Sequence, residues 1–196
     1  MMTQNRARLV AAASAIGVVL ILAFGWIGLS LISGNIHEVV PGRLYRSATL
    51  DPQQLTRLID RQSIRTIINL RGPHPGTPWW DAQKRVAVQA GIRMYDRSWS
   101  ARRQLSDDEL TDFLALIAHA EEPVLVHCMS GADRTGLAAA LYLAAKVDTS
   151  EAAAAAQLSI LYSHIGLPIA PAFAMDRSFE RAKLQLAFDE PSATPP

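Results

Sequence analysis

Residues 127–136 read His127-Cys128-Met129-Ser130-Gly131-Ala132-Asp133-Arg134-Thr135-Gly136 and follow the apolar run Pro123-Val124-Leu125-Val126. A nucleophile and a cation five residues apart, in a loop joining a buried strand to a helix, have the spacing that phosphate-ester chemistry through a thiolate requires. Cys128 is the only cysteine in 196 residues, so no intramolecular disulfide accounts for it. A loop that wraps one point aims its backbone N–H groups inward as an anion nest, and the following helix adds its positive N-terminal end. Gly131 permits a turn that a side chain would obstruct, and Gly136 permits close packing as the helix begins. Arg134 presents a planar fork able to grip two phosphate oxygens, and the same field favours the thiolate of Cys128. Met129, Ser130, Gly131, Ala132, Asp133 and Arg134 are therefore the expected phosphate cradle. Thr135 is expected to donate to the sulfur, and His127, which precedes the nucleophile, to order the loop.

The string His127-Cys128-x5-Arg134-Thr135-Gly136 resembles the signature of the cysteine-dependent protein tyrosine and dual-specificity phosphatases. The resemblance extends through Gly42-Arg43-Leu44-Tyr45-Arg46-Ser47 and Ile67-Ile68-Asn69-Leu70-Arg71, which are similar to the compact bacterial and fungal members. It implies an α/β fold, a short central sheet of about four to five strands flanked by helices. It also implies a phosphocysteine intermediate and chemistry with neither metal nor organic cofactor. A core cysteine beside a fortuitous arginine, or a rhodanese-like sulfur-transfer loop, which usually lacks the closing Arg-Thr-Gly, fits fewer of these residues.

Residues 9–32 contain no charge, and 24 such residues are enough to span a bilayer as one helix. Arg6 and Arg8 precede them, while the next basic residues, Arg43 and Arg46, lie well beyond. The flanks favour a cytoplasmic N-terminus of residues 1–8, a single-pass signal anchor of residues 9–32 and an extracytoplasmic (periplasmic) domain. A signal peptide cleaved near Ala23-Phe24-Gly25 is the alternative. Residues 33–41 are expected to be a linker, residues 42–189 the domain and residues 190–196 a disordered tail. The net charge of +1 makes no case for nucleic acid as a partner.

Among the remaining elements, Asp51-Pro52 reads as a helix start, and Thr66 to Leu70 as a buried strand. The loop from Arg71 to Pro78 is rich in Gly and Pro, and a helix follows it to about Ala90. Residues 92–97 form a further strand, and Ser106-Asp107-Asp108-Glu109 opens a capped helix. Residues 137–147 are apolar nearly all round and predict a buried central helix. Two more helices are expected at about residues 150–163 and 171–188.

Cleaving a phosphoester also requires a proton for the leaving oxygen. Asp96 lies 32 residues before Cys128, a separation the resemblance associates with the general acid, yet the loop Ser98-Trp99-Ser100-Ala101-Arg102-Arg103 that should carry it has no carboxylate. Asp107 and Asp108 suit the N-terminus of a helix, and Asp133 is a further candidate. The cradle contains no lysine or histidine, which disfavours a polyanionic substrate, while Arg71, Arg102 and Arg103 restore positive character around the entrance. Trp79 and Trp80 can wall a phosphotyrosine-sized cleft or simply pack. Expected partners are a phosphorylated protein, a small phosphomonoester or a phospholipid. Alternative functions are a phospholipid or inositol-phosphate phosphatase and a non-catalytic phosphate-binding module.

Overall fold

Five four-residue strands build one sheet. They are β1 (His37–Val40), β2 (Leu44–Ser47), β3 (Thr66–Asn69), β4 (Arg93–Asp96) and β5 (Val124–His127), in the order β1-β2-β5-β3-β4. The computed structural model describes residues 33–184 and 186, with Gly17, Val18, Gly25 and Gly28 in addition. Apart from those four, the expected span of residues 9–32 lies outside the described residues, as do residues 1–8 and 190–196. Among the described residues, no helix is long and apolar enough to cross a membrane.

Only β1 runs antiparallel; β2, β5, β3 and β4 are mutually parallel. Every residue of β2, β5 and β3 is buried, as parallel strands covered on both faces must be. Helices α1 (Pro52–Gln62) and α2 (Pro78–Gln89) cover one face, where Leu55, Leu58, Ile59, Val86 and Ala87 meet Tyr45, Ile67 and Leu125. Helices α3 (Asp107–His119), α4 (Asp133–Lys146) and α6 (Ala174–Lys183) cover the other, around Leu44, Ile68, Val124 and Val126. Residues 135–143 of α4 are all buried, which explains why its sequence shows no polar face. Caps start the outer helices: Asp51 accepts from the Gln54 amide, and Ser106 from the Glu109 amide.

Three expectations need correction. Residues 37–40, expected in a linker, form β1 and extend the sheet through Arg46, Tyr45 and Leu44. The helix expected over 150–163 is confined to α5 (Glu151–Ala155) and a 3₁₀ turn, Ile160–Tyr162. Gln157, between them, holds Arg46 of β2, and after it Tyr162 O accepts from Asn35 while His164 bonds Asp133 at the start of α4, in place of a continued helical ladder. The last helix opens with a 3₁₀ turn, Pro171–Phe173, before α6.

The register aligns Ser47, His127, Asn69 and Asp96 in one row across the four parallel strands. All four strands end there, so the loop carrying Cys128 leaves from the middle of the carboxyl edge, where open parallel sheets bind ligands. The opposite end is closed by Glu122, which accepts from Arg43 Nε (2.7 Å), Tyr142 Oη (2.5 Å) and Lys146 Nζ (2.7 Å). The Arg43 hydrogen bond foremost, and then Lys146 and Tyr142, hold the Glu122 carboxyl down to about 2 against the burial that opposes them.

That depressed value makes the network's contribution full above the ordinary glutamate range and lost as pH falls toward about 2. Glu122→Gln should therefore cost about 1–2 kcal/mol of unfolding free energy at neutral pH, discounted for partial exposure. In denaturant titrations the gap from the parent should close on acidification; a gap independent of pH would refute the assignment.

Candidate active site

The loop after β5 is shaped from outside. Its carbonyls are taken in turn: Thr49 Oγ1 donates to Cys128 O (2.9 Å), the Thr49 amide to Met129 O (3.2 Å), and Asn35 Nδ2 to Ser130 O (3.0 Å). Arg46 Nη2 then donates to Gly131 O (2.9 Å) and Ala132 O (3.2 Å). In a trans peptide unit the N–H points opposite to the C=O. Five carbonyls held outward therefore turn the amides of residues 129–133 toward the inside of the loop, which is the anion nest in physical terms. The start of α4 adds its unpaired amides.

Two glycines let the loop and the helix after it sit this close to their neighbours. Gly131 has φ +74°, and a Cβ there would lie 2.6 Å from the Ser47 carbonyl carbon and the Ala48 nitrogen. At Gly136 a Cβ would meet the Gln157 carbonyl oxygen at 2.8 Å. Both obstacles include backbone atoms, so neither position accommodates a side chain without displacing the loop.

Cys128 is buried at the base of the loop. Arg134 is braced by Nη1, which donates to Leu70 O (3.2 Å) and Trp99 O (3.1 Å), while its Nε is buried without a protein partner and remains a donor for an oxyanion. Thr135 Oγ1 is buried and has no hydrogen-bond partner, so the expected donation to sulfur is not formed in this structure. Arg71 is a second cation of the site. Its guanidinium stacks on Trp79 at 3.6 Å and donates to Thr49 Oγ1 (3.0 Å). Burial and nearby Arg134 lower the Arg71 pKa, while Cys128 raises it, so this one side chain stands in the field of both loop residues.

Beneath the loop, His127 is fully buried and accepts at Nε2 from Gln83 Nε2 (2.9 Å). Burial foremost, with Arg71 and Arg134 adding to it, pushes its pKa down to about 4, so the ring is neutral at physiological pH. Asp96 ends β4 on the same face as His127. Its Oδ1 accepts from Asn69 Nδ2 (2.6 Å) and Trp80 Nε1 (3.1 Å). Asn69 also accepts from the Arg71 amide (3.0 Å) and donates to Gly72 O (2.8 Å), so Asp96 is linked to the turn that carries Arg71.

The other carboxylates lie elsewhere. Asp107 pairs with Arg181 on α6, and Asp108 is exposed in the first turn of α3. Asp133 Oδ1 bonds His164 Nδ1 (2.7 Å), and His164 Nε2 bonds Asp176 Oδ2 (2.9 Å). Both partners are acceptors, so the His164 ring donates from both nitrogens as an imidazolium. Burial alone would lower its pKa, but Asp133 and Asp176 more than offset that and raise it. Arg103 is engaged by Glu109 through two hydrogen bonds of 2.7 and 2.6 Å, and its charge is spent there.

Arg46, which the sequence offers only as part of the resembling string before the signature, lies beneath the loop as a clamp. It is 0% exposed, with Nη1 on Gln157 O and Oε1 (both 2.9 Å) and its guanidinium 4.0 Å from the Tyr162 ring. Burial lowers its pKa to about 10, which leaves it cationic at neutral pH. Asn35, Thr49 and His164 were also missed. The one signal available for Arg46 was an arginine in a strand otherwise suited to burial.

A family model described as the tyrosine phosphatase family matches residues 28–157. No curated protein matches the chain. Among solved structures, P. aeruginosa TpbA is 26% identical with a TM-score of 0.58, covering 78% of this chain and 91% of that one; its variant in complex with phosphotyrosine is 24% identical with a TM-score of 0.61, covering 78% and 87%. The core catalytic domain of the PP-IP phosphatase SIW14 from S. cerevisiae is 20% identical (TM-score 0.57), covering 77% and 91%. PTPMT1 in complex with PI(5)P is 13% identical (TM-score 0.56), covering 76% and 97%. The three below 25% identity, the phosphotyrosine complex among them, establish likeness of fold alone.

Arg46→Lys keeps the charge but loses the fork that reaches Gly131 and Ala132. With about 1.5 kcal/mol for one such charged hydrogen bond, it should weaken vanadate or phosphate binding by roughly tenfold or more. Titration calorimetry tests this, and unchanged affinity in a folded variant would show that the clamp does not set the amides.

Proposed function

The chain belongs to the tyrosine phosphatase family, and from that premise we propose that it hydrolyses phosphomonoesters through a phosphocysteine on Cys128, with aryl phosphates such as phosphotyrosine as the favoured class. The observation that carries this reading is the ring of outward-held carbonyls around Cys128, closed by Arg134. In the first step the Cys128 thiolate attacks phosphorus and the ester oxygen leaves. Charge on the three equatorial oxygens is met by the amides of residues 129–133, by Arg134 and by the start of α4. In the second step water attacks the phosphocysteine and releases phosphate and thiolate.

Proton delivery to the leaving oxygen is assigned to Asp96. It stands at the carboxyl edge of the sheet, and Oδ1 takes both hydrogen bonds from Asn69 and Trp80, while Oδ2 takes neither. A second reading draws support from the row it shares with His127: through Asn69 it positions the Arg71 turn rather than transferring a proton.

Several features favour one phosphate on an aromatic group. No lysine or histidine lies between Cys128 and Arg134, and Asp133 adds a negative charge. Trp79, stacked under Arg71, offers an aromatic wall. TpbA has been crystallised with phosphotyrosine, which supports the same class; PTPMT1 with PI(5)P is the support for a lipid head group as the alternative. Residues 9–32 are read as a single-pass signal anchor that leaves the catalytic domain on the extracytoplasmic side, on the strength of Arg6, Arg8 and the charge-free run.

Cys128→Ser should lower turnover of a small aryl phosphate by about three orders of magnitude or more while still binding vanadate. Retained turnover would exclude the phosphocysteine route, and a parent chain that binds phosphate without turnover would make this a binding module. Asp96→Asn should slow esters with poor leaving groups by roughly a hundredfold and good ones little. A uniform loss across leaving groups would transfer Asp96 to the positioning role.

A further inference from the structure

Residues 152–175 contain no Asp, Glu, Lys or Arg. The middle of this stretch is fastened to the catalytic loop by its polar members. Gln157 holds Arg46, Tyr162 O accepts from Asn35 Nδ2 (3.1 Å), the Tyr162 ring meets His37 edge-on at 5.0 Å, and His164 holds Asp133. Leu158 packs inward against the core, while the aliphatic side chains farther along stay outside. Ile165 and Leu167 are 48% and 52% exposed, Ile169 is 91% exposed, and Met129 on the loop itself is 64% exposed. An exposed apolar strap is thus tied to the loop that holds Cys128, and exposed apolar surface of this kind marks an interaction site.

The path of the chain identifies what covers it. The apolar run of residues 9–32 ends three residues before Asn35, whose side chain donates both to Ser130 O on the loop and to Tyr162 O on the strap. Three extended residues reach about 10 Å. A bilayer crossed by residues 9–32 is therefore within reach of the strap and of the loop together. Charge agrees with this. The strap's one ionised group, His164, is already paired with Asp133 and Asp176, so its placement against lipid leaves no charge of the strap without a partner.

We propose that residues 158–170, with Met129, rest in the boundary between head groups and acyl chains of a lipid bilayer, holding the mouth of the catalytic loop at the membrane surface. This rests on the signal-anchor reading of residues 9–32 proposed above and goes beyond the catalytic reading, on which its readout does not depend. Substrates would then be phosphomonoesters presented at that surface, whether on a protein or a lipid.

The test uses the full chain in vesicles of phosphatidylcholine and phosphatidylglycerol. In a Cys128→Ser background, Ile169→Cys places a single thiol on the strap, and Val88→Cys places one on α2, at a side chain that is 70% exposed. Each is labelled with an environment-sensitive fluorophore. The expected result is blue-shifted emission at position 169, quenched several-fold more strongly than at position 88 by lipids bearing a shallow nitroxide. Equal, water-like emission at both positions would overturn the proposal. A blue shift without nitroxide quenching would also overturn it, because protein, a second copy or another partner, would then cover the strap. Turnover of a soluble aryl phosphate by the chain with native Cys128 tests the catalytic reading alone, so either reading can fail without the other.

Discussion

Consecutive carbonyls from Cys128 to Ala132 are bound on the outer side of their loop by Asn35, Arg46 and Thr49, and peptide planarity converts those bonds into an inner lining of donors. Nothing in the loop sequence alone would keep five amides convergent, because each peptide plane can rotate to find another partner. Arg46 is the strongest of the ties, since one rigid guanidinium spans two loop carbonyls and two acceptors of Gln157. A buried cation carries a desolvation cost, and four hydrogen bonds to four acceptors are what offset it. The nucleophile's environment is thus a property of the β2 strand and the segment after α5 as much as of the signature itself.

The charges around the loop are arranged in tiers. The neutral His127 lies beneath the loop against Gln83, and the cation beneath the loop, Arg46, is engaged by carbonyl and amide oxygens. Arg134 is braced by carbonyls of Leu70 and Trp99, and Arg71, which stands in the field of both Arg134 and Cys128, by Trp79 and Thr49. The Asp133–His164–Asp176 group sits to the side, and its imidazolium joins the first turn of α4 to the start of α6. Asp133 is therefore part of the joint that fixes the helix whose N-terminus faces the anion.

The loop and the alternation of strands and helices were legible in the sequence because both are local signals. A strand, six cradle residues and a helix sit within the 23 positions from Val124 to Lys146, and the caps at Asp51 and Ser106 announce their helices directly. The clamp was hidden because its contacts span 85, 86 and 111 residues, and an arginine in a strand gives no hint of which carbonyls it will meet. Strand β1 was missed for a different reason. With Gly34 before it and Gly42 after it, four residues starting with His37 and Glu38 read as linker, and only pairing with β2 makes them a strand. The helix expected over 150–163 failed because alanine propensity is outweighed there by the hydrogen bonds that Gln157, Tyr162 and His164 make to the loop and its neighbours.

The packing at Gly131 also bears on how this scaffold can change. A methyl group there would strike the main chain of Ser47 and Ala48, and side-chain adjustment cannot relieve a clash with main chain. Drift in the cradle is thereby steered to Met129 and Ser130, whose side chains do not carry the outer bonds. Altered preferences among ester groups can accumulate at those two positions while the lining of donors stays constant, so the scaffold separates what it recognises from how it reacts.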